Sequence, residues 1–402
     1  MRPSRHAAPL EASVFPIACA ALAAALPAPL FNDVFVDANA AGPGVGTLAN
    51  PFVSIQQAVL APTTFDGDNI HVAPGDYWES IDFGPRTLRL YSSGGPEVTI
   101  VHAASDAPIF NSWSPWFVGV GVSGFTFTRD GVSSPNVAVY LERGSIGGCV
   151  IRDVPGLAFE SGLDADMGGC TITGNGIGIF EGANSCMYLR NSIVWGNGQD
   201  HVTLAGCTSN QGSHVGGSDP RFWNAAAGNL HLAPGSPCID AGMGTDPDGS
   251  PADQGAYRYD AAYAPAPTNY CTGKLNSQGC VPSVQASGLA SLSDPNPFLV
   301  TCVDVVDHKA GMMMYGYGQQ DIPFAGGHFC LLQTRRMPVV LSGGSGPCTG
   351  TLSYDFNARI QSGVDPALQP GVLVYMQFLY RDPLDPAAHI GLSDALCIGI
   401  AP

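Results

Sequence analysis

The stretch CTITGNGIGIFEGANSCMYLRNSIVWGNG, residues 170–198, repeats itself, and no other property of the chain restricts its fold as tightly. Cys149 to Cys170, Phe159 to Phe180, Glu160 to Glu181 and Cys186 to Cys207 are each 21 residues apart, and Asn175 to Asn197 is 22. Segments 124–130, 148–154, 169–175 and 191–197 superimpose, with Phe125 and Phe127, Cys149 and Ile151, Cys170 and Ile172, and Ser192 and Val194 at alternating positions. Alternation of this kind marks a strand with one buried face. A period near 21 is too short for a propeller blade, and the leucine spacing of a leucine-rich repeat is missing. A parallel β-helix fits, with one coil per period and equivalent strands stacked about 4.8 Å apart. Phe127, Ile151, Ile172 and Val194 then form an internal ladder, and Cys149 lies over Cys170. Gly-Asn-Gly, at 174–176 and 196–198, recurs because each coil turns at the same place. Glycine accepts the unusual backbone angles there, and stacked asparagines hydrogen-bond along the turn.

Further strands are expected at 69–74, 87–92 and 98–103. Ser54 and Gln57 form a capping-box pattern for a helix over 54–62, with Ile55 and Val59 on one face and Pro62 at its end. A solenoid has to hide its first open coil, and this helix is the expected N-terminal cap. Glycine (51) and proline (33) are abundant while charged residues make up only 12%, a composition of turns rather than surface helices. After an Ala/Pro linker, 261–269, the texture changes. Strands at 298–306, 311–318, 327–334, 350–357, 371–380 and 396–401 predict an antiparallel β-sandwich over 270–402.

Arg2, Arg5 and the apolar run from Val14 to Leu26 read as a secretory signal, 1–25, cleaved near Ala25 or, alternatively, Ala28. No other stretch is apolar enough to span a bilayer. Export places the cysteines in a disulfide-permissive compartment. Six of them follow residue 265, which suggests three bridges in the C-terminal domain with the pairing left open. A net charge of −17 and only two lysines, Lys274 and Lys309, argue against nucleic acid and anionic membranes as partners. Nothing in the sequence sets an oligomeric state.

Residues 35–79 and 219–259 carry a resemblance. FVDANAAGPGVGTLANPFVSIQQAVLAPTTFDGDNIHVAPGDYWE resembles the opening of secreted right-handed parallel β-helix proteins of the pectin-lyase-like superfamily. DPRFWNAAAGNLHLAPGSPCIDAGMGTDPDGSPADQGAYRY resembles their ending. With the repeats, the likeness spans roughly 33–260. Residues 270–402 resemble a small cysteine-containing β-rich domain found on secreted bacterial proteins, a likeness that conveys no function. The superfamily includes polysaccharide lyases and glycoside hydrolases, which implies a carbohydrate partner and makes Ca²⁺ the candidate ion, although no cofactor is required.

Lyases of this fold use carboxylate-held Ca²⁺ and a basic Arg or Lys. The repeats offer Arg129-Asp130 and Arg152-Asp153, read as equivalent positions on neighbouring coils. The alternative is a surface ion-pair ladder. Hydrolases need paired carboxylates. Asp164 and Asp166 share a strand face in LDADM, yet the Asn-Thr-Asp, Asp-Asp and Gly-His-Gly motifs of the family's hydrolases are absent. Glu160 and Glu181 are expected to stack on adjacent strands as a Ca²⁺ or sugar contact, or else to splay into water. Asp240, Asp246, Asp248 and Asp253 surround Gly249 like the start of a calcium loop, or else close Asx-turns. Trp113 and Trp116, with Trp78, Trp195 and Trp223, offer flat faces to sugars or pack in turns. No zinc, nucleophile-elbow or phosphate-loop motif is present. The expectation is a secreted or cell-surface, carbohydrate-associated binding or structural protein without a clear catalytic site. The alternative is a polysaccharide lyase or glycoside hydrolase with a divergent site.

Overall fold

The computed structural model describes residues 31–113, 120–129, 136–204, 206–261 and 263–402; the expected signal segment and the positions of Asp130 and Trp116 lie outside them. Residues 69–215 form a parallel β-solenoid of about six turns. The strands Gly75–Trp78, Thr99–His102, Thr126–Thr128, Val150–Arg152, Thr171–Thr173, Ile193–Val194 and His214–Val215 stack in that order in one seven-stranded sheet. Their register brings Tyr77, Val101, Phe127, Ile151, Ile172, Val194 and Val215 into line, which contains the expected ladder. A twelve-stranded sheet supplies the other walls.

The turns explain the Gly-Asn-Gly repeat atom by atom. Gly174 and Gly196 sit at φ 73° and 72°, in the left-handed region. Asn175 is buried, accepts from Val154 N at 3.0 Å, and donates to Ile151 O at 3.0 Å and to Asn197 Oδ1 at 2.8 Å. At Gly176 the reason is space: a Cβ would lie 2.3 Å from Pro155 O.

The expected helix forms at Ile55–Leu60, burying Ile55, Ala58 and Val59, but six residues are too few to be a helical cap. Half of the capping box exists. Ser54 Oγ accepts from Gln57 N, whereas Gln57 Nε2 turns to Pro43 O. Glu79 takes over, accepting from Ser54 Oγ, Ile55 N and Gln56 N. The open edge of the first strand, Asp33–Val36, is covered instead by a loop, with Phe35 N bonded to Gly46 O and Phe52 N to Phe35 O.

At the other end the chain doubles back. Residues 219–259 form a strap across the outer side of the seven-stranded sheet. Gln254 Nε2 donates to Gly212 O, Gly255 N to Asn191 O and Ala256 N to Thr171 Oγ1. Ile193, Leu232 and Cys238 make a small core of their own beneath it. The outward-facing Ile193 is therefore buried.

The C-terminal region is antiparallel. A six-stranded and a three-stranded sheet contribute Val300, Tyr315, Leu352, Phe378 and Ile398 to one core. The linker is shorter than expected, because Thr268–Tyr270 already pairs with the last strand, Ile390–Gly399. The strand expected at 350–357 ends at Asp355, whose carboxylate accepts from Ala358 N and starts the helix Phe356–Gln361. Lys274, one of only two lysines, is buried: Nζ donates to Asp385 Oδ2 at 2.7 Å, Ala325 O at 2.6 Å and Ile390 O at 2.9 Å. Among the described residues three bridges form, but only two of them here, Cys271–Cys330 and Cys280–Cys348. Cys302 and Cys397 stay free. The third bridge, Cys186–Cys207, ties adjacent coils of the solenoid. Three disulfides suit an oxidising, extracellular environment. Among the described residues, no helix is long and apolar enough to cross a membrane.

Candidate functional site

Two outward ladders of the larger sheet run side by side across the coils. One passes from Arg89 to Gly121, Ser145, Asp166 and Tyr188. The other passes from Tyr91 to Ser123, Gly147, Gly168 and Arg190. Small residues in the middle leave a groove of about 990 Å³, walled on one side by the strap residues Asp246, Asp253 and Arg258. A Cβ placed on Gly168 would meet nothing within 4 Å, so that glycine holds space open rather than relieving a clash.

Charge is paired within the groove. Arg190 Nε donates to Asp166 Oδ1 at 3.0 Å, with a second contact between Arg190 Nη2 and Asp166 Oδ2. Arg258 Nε lies 3.2 Å from Asp246 Oδ1. Arg89 marks the far end, 5.4 Å above the Phe31 ring. The site therefore presents guanidinium and carboxylate groups along a shallow, glycine-lined channel. Hydroxyl-rich ligands suit such a surface, because both donors and acceptors lie within reach.

The sequence candidates divide. Asp164 and Asp166 do share one face of Leu157–Gly168, with buried Ala165 between them. Asp166 enters the groove; Asp164 lies against Arg143, at 3.6 Å. Each carboxylate faces an arginine rather than the other carboxylate.

Arg129 and Arg152 are not equivalent. The register sets Thr128, not Arg129, beside Arg152. A shift of one residue turns a side chain to the opposite face. Arg129 points inward, 1% exposed, and donates to the carbonyls of Ser105, Ala107 and Val137. Burial lowers the affinity of its guanidinium for the proton. Arg152 pairs with Asp153 at 2.6 Å and packs against Gly228 of the strap.

The same one-residue slip separates the glutamates. Glu160 aligns with Phe180, and Glu181 with Ser161. Glu160 is half-buried, which raises its pKa. Glu181 is wholly buried and accepts from Thr208 Oγ1, with His201 Nε2 at 3.1 Å. The expected stacked pair is absent, because an exact 21-residue spacing does not survive coils of unequal length.

The acidic loop closes turns. Asp253 accepts from Asp240 N and Tyr259 N, Asp246 from Asp253 N, and Asp248 from both N and Oγ of Ser250. Backbone amides, the Ser250 hydroxyl and Arg258 thus partner carboxylate oxygens of Asp246, Asp248 and Asp253. Among the described residues, the only convergent trio of metal-capable side chains is Cys271, Asp321 and Cys330, and two of those share a disulfide. Trp113 is 48% exposed beside Gly84, and Trp223 is buried.

Sequence reasoning missed Arg89, Tyr91, Arg190 and Arg258. A signal was present: Ser123, Gly147 and Gly168 recur at the coil period on an outward position where a side chain has room. No protein-family model matches the chain, and no curated protein matches it.

Proposed function

We propose that this is a secreted or cell-surface carbohydrate-binding protein, which lays a polysaccharide chain in the glycine-floored groove of a right-handed, pectin-lyase-like β-helix. The groove carries the reading: it crosses several coils, its floor is lined by glycine and serine, and Arg and Asp side chains border it. Binding is favoured over cleavage because Asp164 and Asp166 each face an arginine rather than each other, and the groove arginines Arg190 and Arg258 are each engaged by a carboxylate. The antiparallel C-terminal region, read as a β-sandwich, then serves as an attached module.

The test is retention and calorimetry of the mature protein on neutral and acidic polysaccharides, with and without Ca²⁺. Reducing ends and unsaturated-product absorbance are read alongside. Retention without cleavage, lost in Gly168→Phe, is the expected result. Cleavage that depends on Asp166 or Arg190 would replace the reading by the lyase or hydrolase alternative. Neither retention nor cleavage on any of them would sink both.

A further inference from the structure

Trp78 lies on the seven-stranded sheet, not in the groove, and is 63% exposed. Tryptophan is seldom left so open, because its large ring gains much by leaving water. Here the ring is also held. It stacks on His102 with centroids 4.1 Å apart and planes 9° from parallel. His102 is the cross-strand neighbour of Trp78, and its Nε2 lies 3.0 Å from Asp76 Oδ1. Asp76 and Trp78 share the outward face of Gly75–Trp78, on either side of buried Tyr77. A carboxylate thus fixes an imidazole, and the imidazole covers one face of an indole. The other face is presented to solvent in a single orientation, with Asp76 at its edge.

We infer that Trp78 is a second, independent binding site, a stacking platform for a neutral pyranose ring with equatorial substituents. Such a ring shows axial C–H bonds on its faces and hydroxyls around its rim. The C–H bonds are drawn to the electron-rich indole face. The rim hydroxyls donate to Asp76, whose side chain remains 65% exposed. The pre-set indole loses little freedom on binding, which favours affinity. The carboxylate beside it and the net charge of −17 disfavour uronates. The site does not depend on the groove, and either can exist without the other.

The experiment is a titration of the full mature protein with a β-1,4-linked glucose hexamer, followed by tryptophan fluorescence and calorimetry. Binding with a change in emission is expected. Trp78→Ala should bind about tenfold more weakly, the equivalent of roughly 1.4 kcal/mol, and lose the emission change. Trp78→Phe should keep part of the affinity, and His102→Ala should weaken binding with Trp78 intact. Gly168→Phe should lose any heat that belongs to the groove but keep the Trp78-dependent emission change, which separates this site from failure of the groove. Equal binding by wild type and Trp78→Ala, no binding by wild type, or tighter Trp78-dependent binding of a galacturonate hexamer would each overturn the inference.

Discussion

Replacing Asn175 by alanine removes one rung of the turn ladder and leaves everything else in place. Val154 N loses its acceptor and Ile151 O loses its side-chain donor but stays in the strand ladder, while Asn197 Oδ1 keeps only the bond from Asn175 N. Val154 and Ile151 are both fully buried, so water does not replace the lost partners. An unsatisfied buried donor costs about 1–3 kcal/mol, and Val154 N is the one left in that state, so the expected loss is roughly 2 kcal/mol. Asn175→Asp is the sharper variant. It keeps the acceptor for Val154 N but sets a carboxylate against two oxygens, and it should be at least as damaging as alanine at neutral pH. Urea denaturation followed by circular dichroism gives the midpoint and slope; amide exchange at Val154 tests whether the loss is local. Asn175→Ala within about 0.5 kcal/mol of wild type, with Val154 still protected, would refute the ladder as a source of stability.

The remaining expectations concern charge, covalent ties and packing. Lys274→Met should cost about 3 kcal/mol because it strands Asp385, and Lys274→Met/Asp385→Leu should recover most of it in the same melts. The hydrogen bond from Lys274 holds the Asp385 pKa below its ordinary value, so this contribution is present at neutral pH and is lost as pH falls below about 4; wild type should lose more stability on acidification than the double variant. Cys186→Ala/Cys207→Ala should lower stability by about 2–4 kcal/mol, given the 21-residue separation. Thiol alkylation of the unreduced, denatured chain should label Cys149, Cys170, Cys238, Cys302 and Cys397 and no other cysteine of the described residues. Ile172→Ala should cost about 2–5 kcal/mol as a cavity in the central ladder; a change under about 1 kcal/mol would mean that the coils are not closely packed there.

Local alternation and period were enough to identify a parallel solenoid, the inward ladder from Phe127 to Val194 and the stacking of Asn175 on Asn197. Each follows from nearest-neighbour geometry: a strand has two faces, and a coil repeats its predecessor. Register across coils was another matter. The coil from Glu160 to Glu181 and the step from Arg129 to Arg152 each contain turns that differ by one residue, and one residue exchanges inside for outside. Arg129 and Glu181 therefore lie in the interior, where the spacing alone had set them beside Arg152 and Glu160.

What only the tertiary structure decided is what covers what. The strap of residues 219–259 buries the outward Ile193, turns the acidic loop's carboxylates to its own amides, and supplies Arg258 to the groove. Lys274 is enclosed with Asp385, 111 residues away in the chain. Trp78 is one of five tryptophans whose one-dimensional contexts look alike; its exposure and its bed on His102 come from the neighbouring coil. Sequence determines the periodic part of such a molecule because the same few contacts recur in every coil. The groove, the strap and the platform form where the chain meets distant parts of itself, and no local pattern records those meetings.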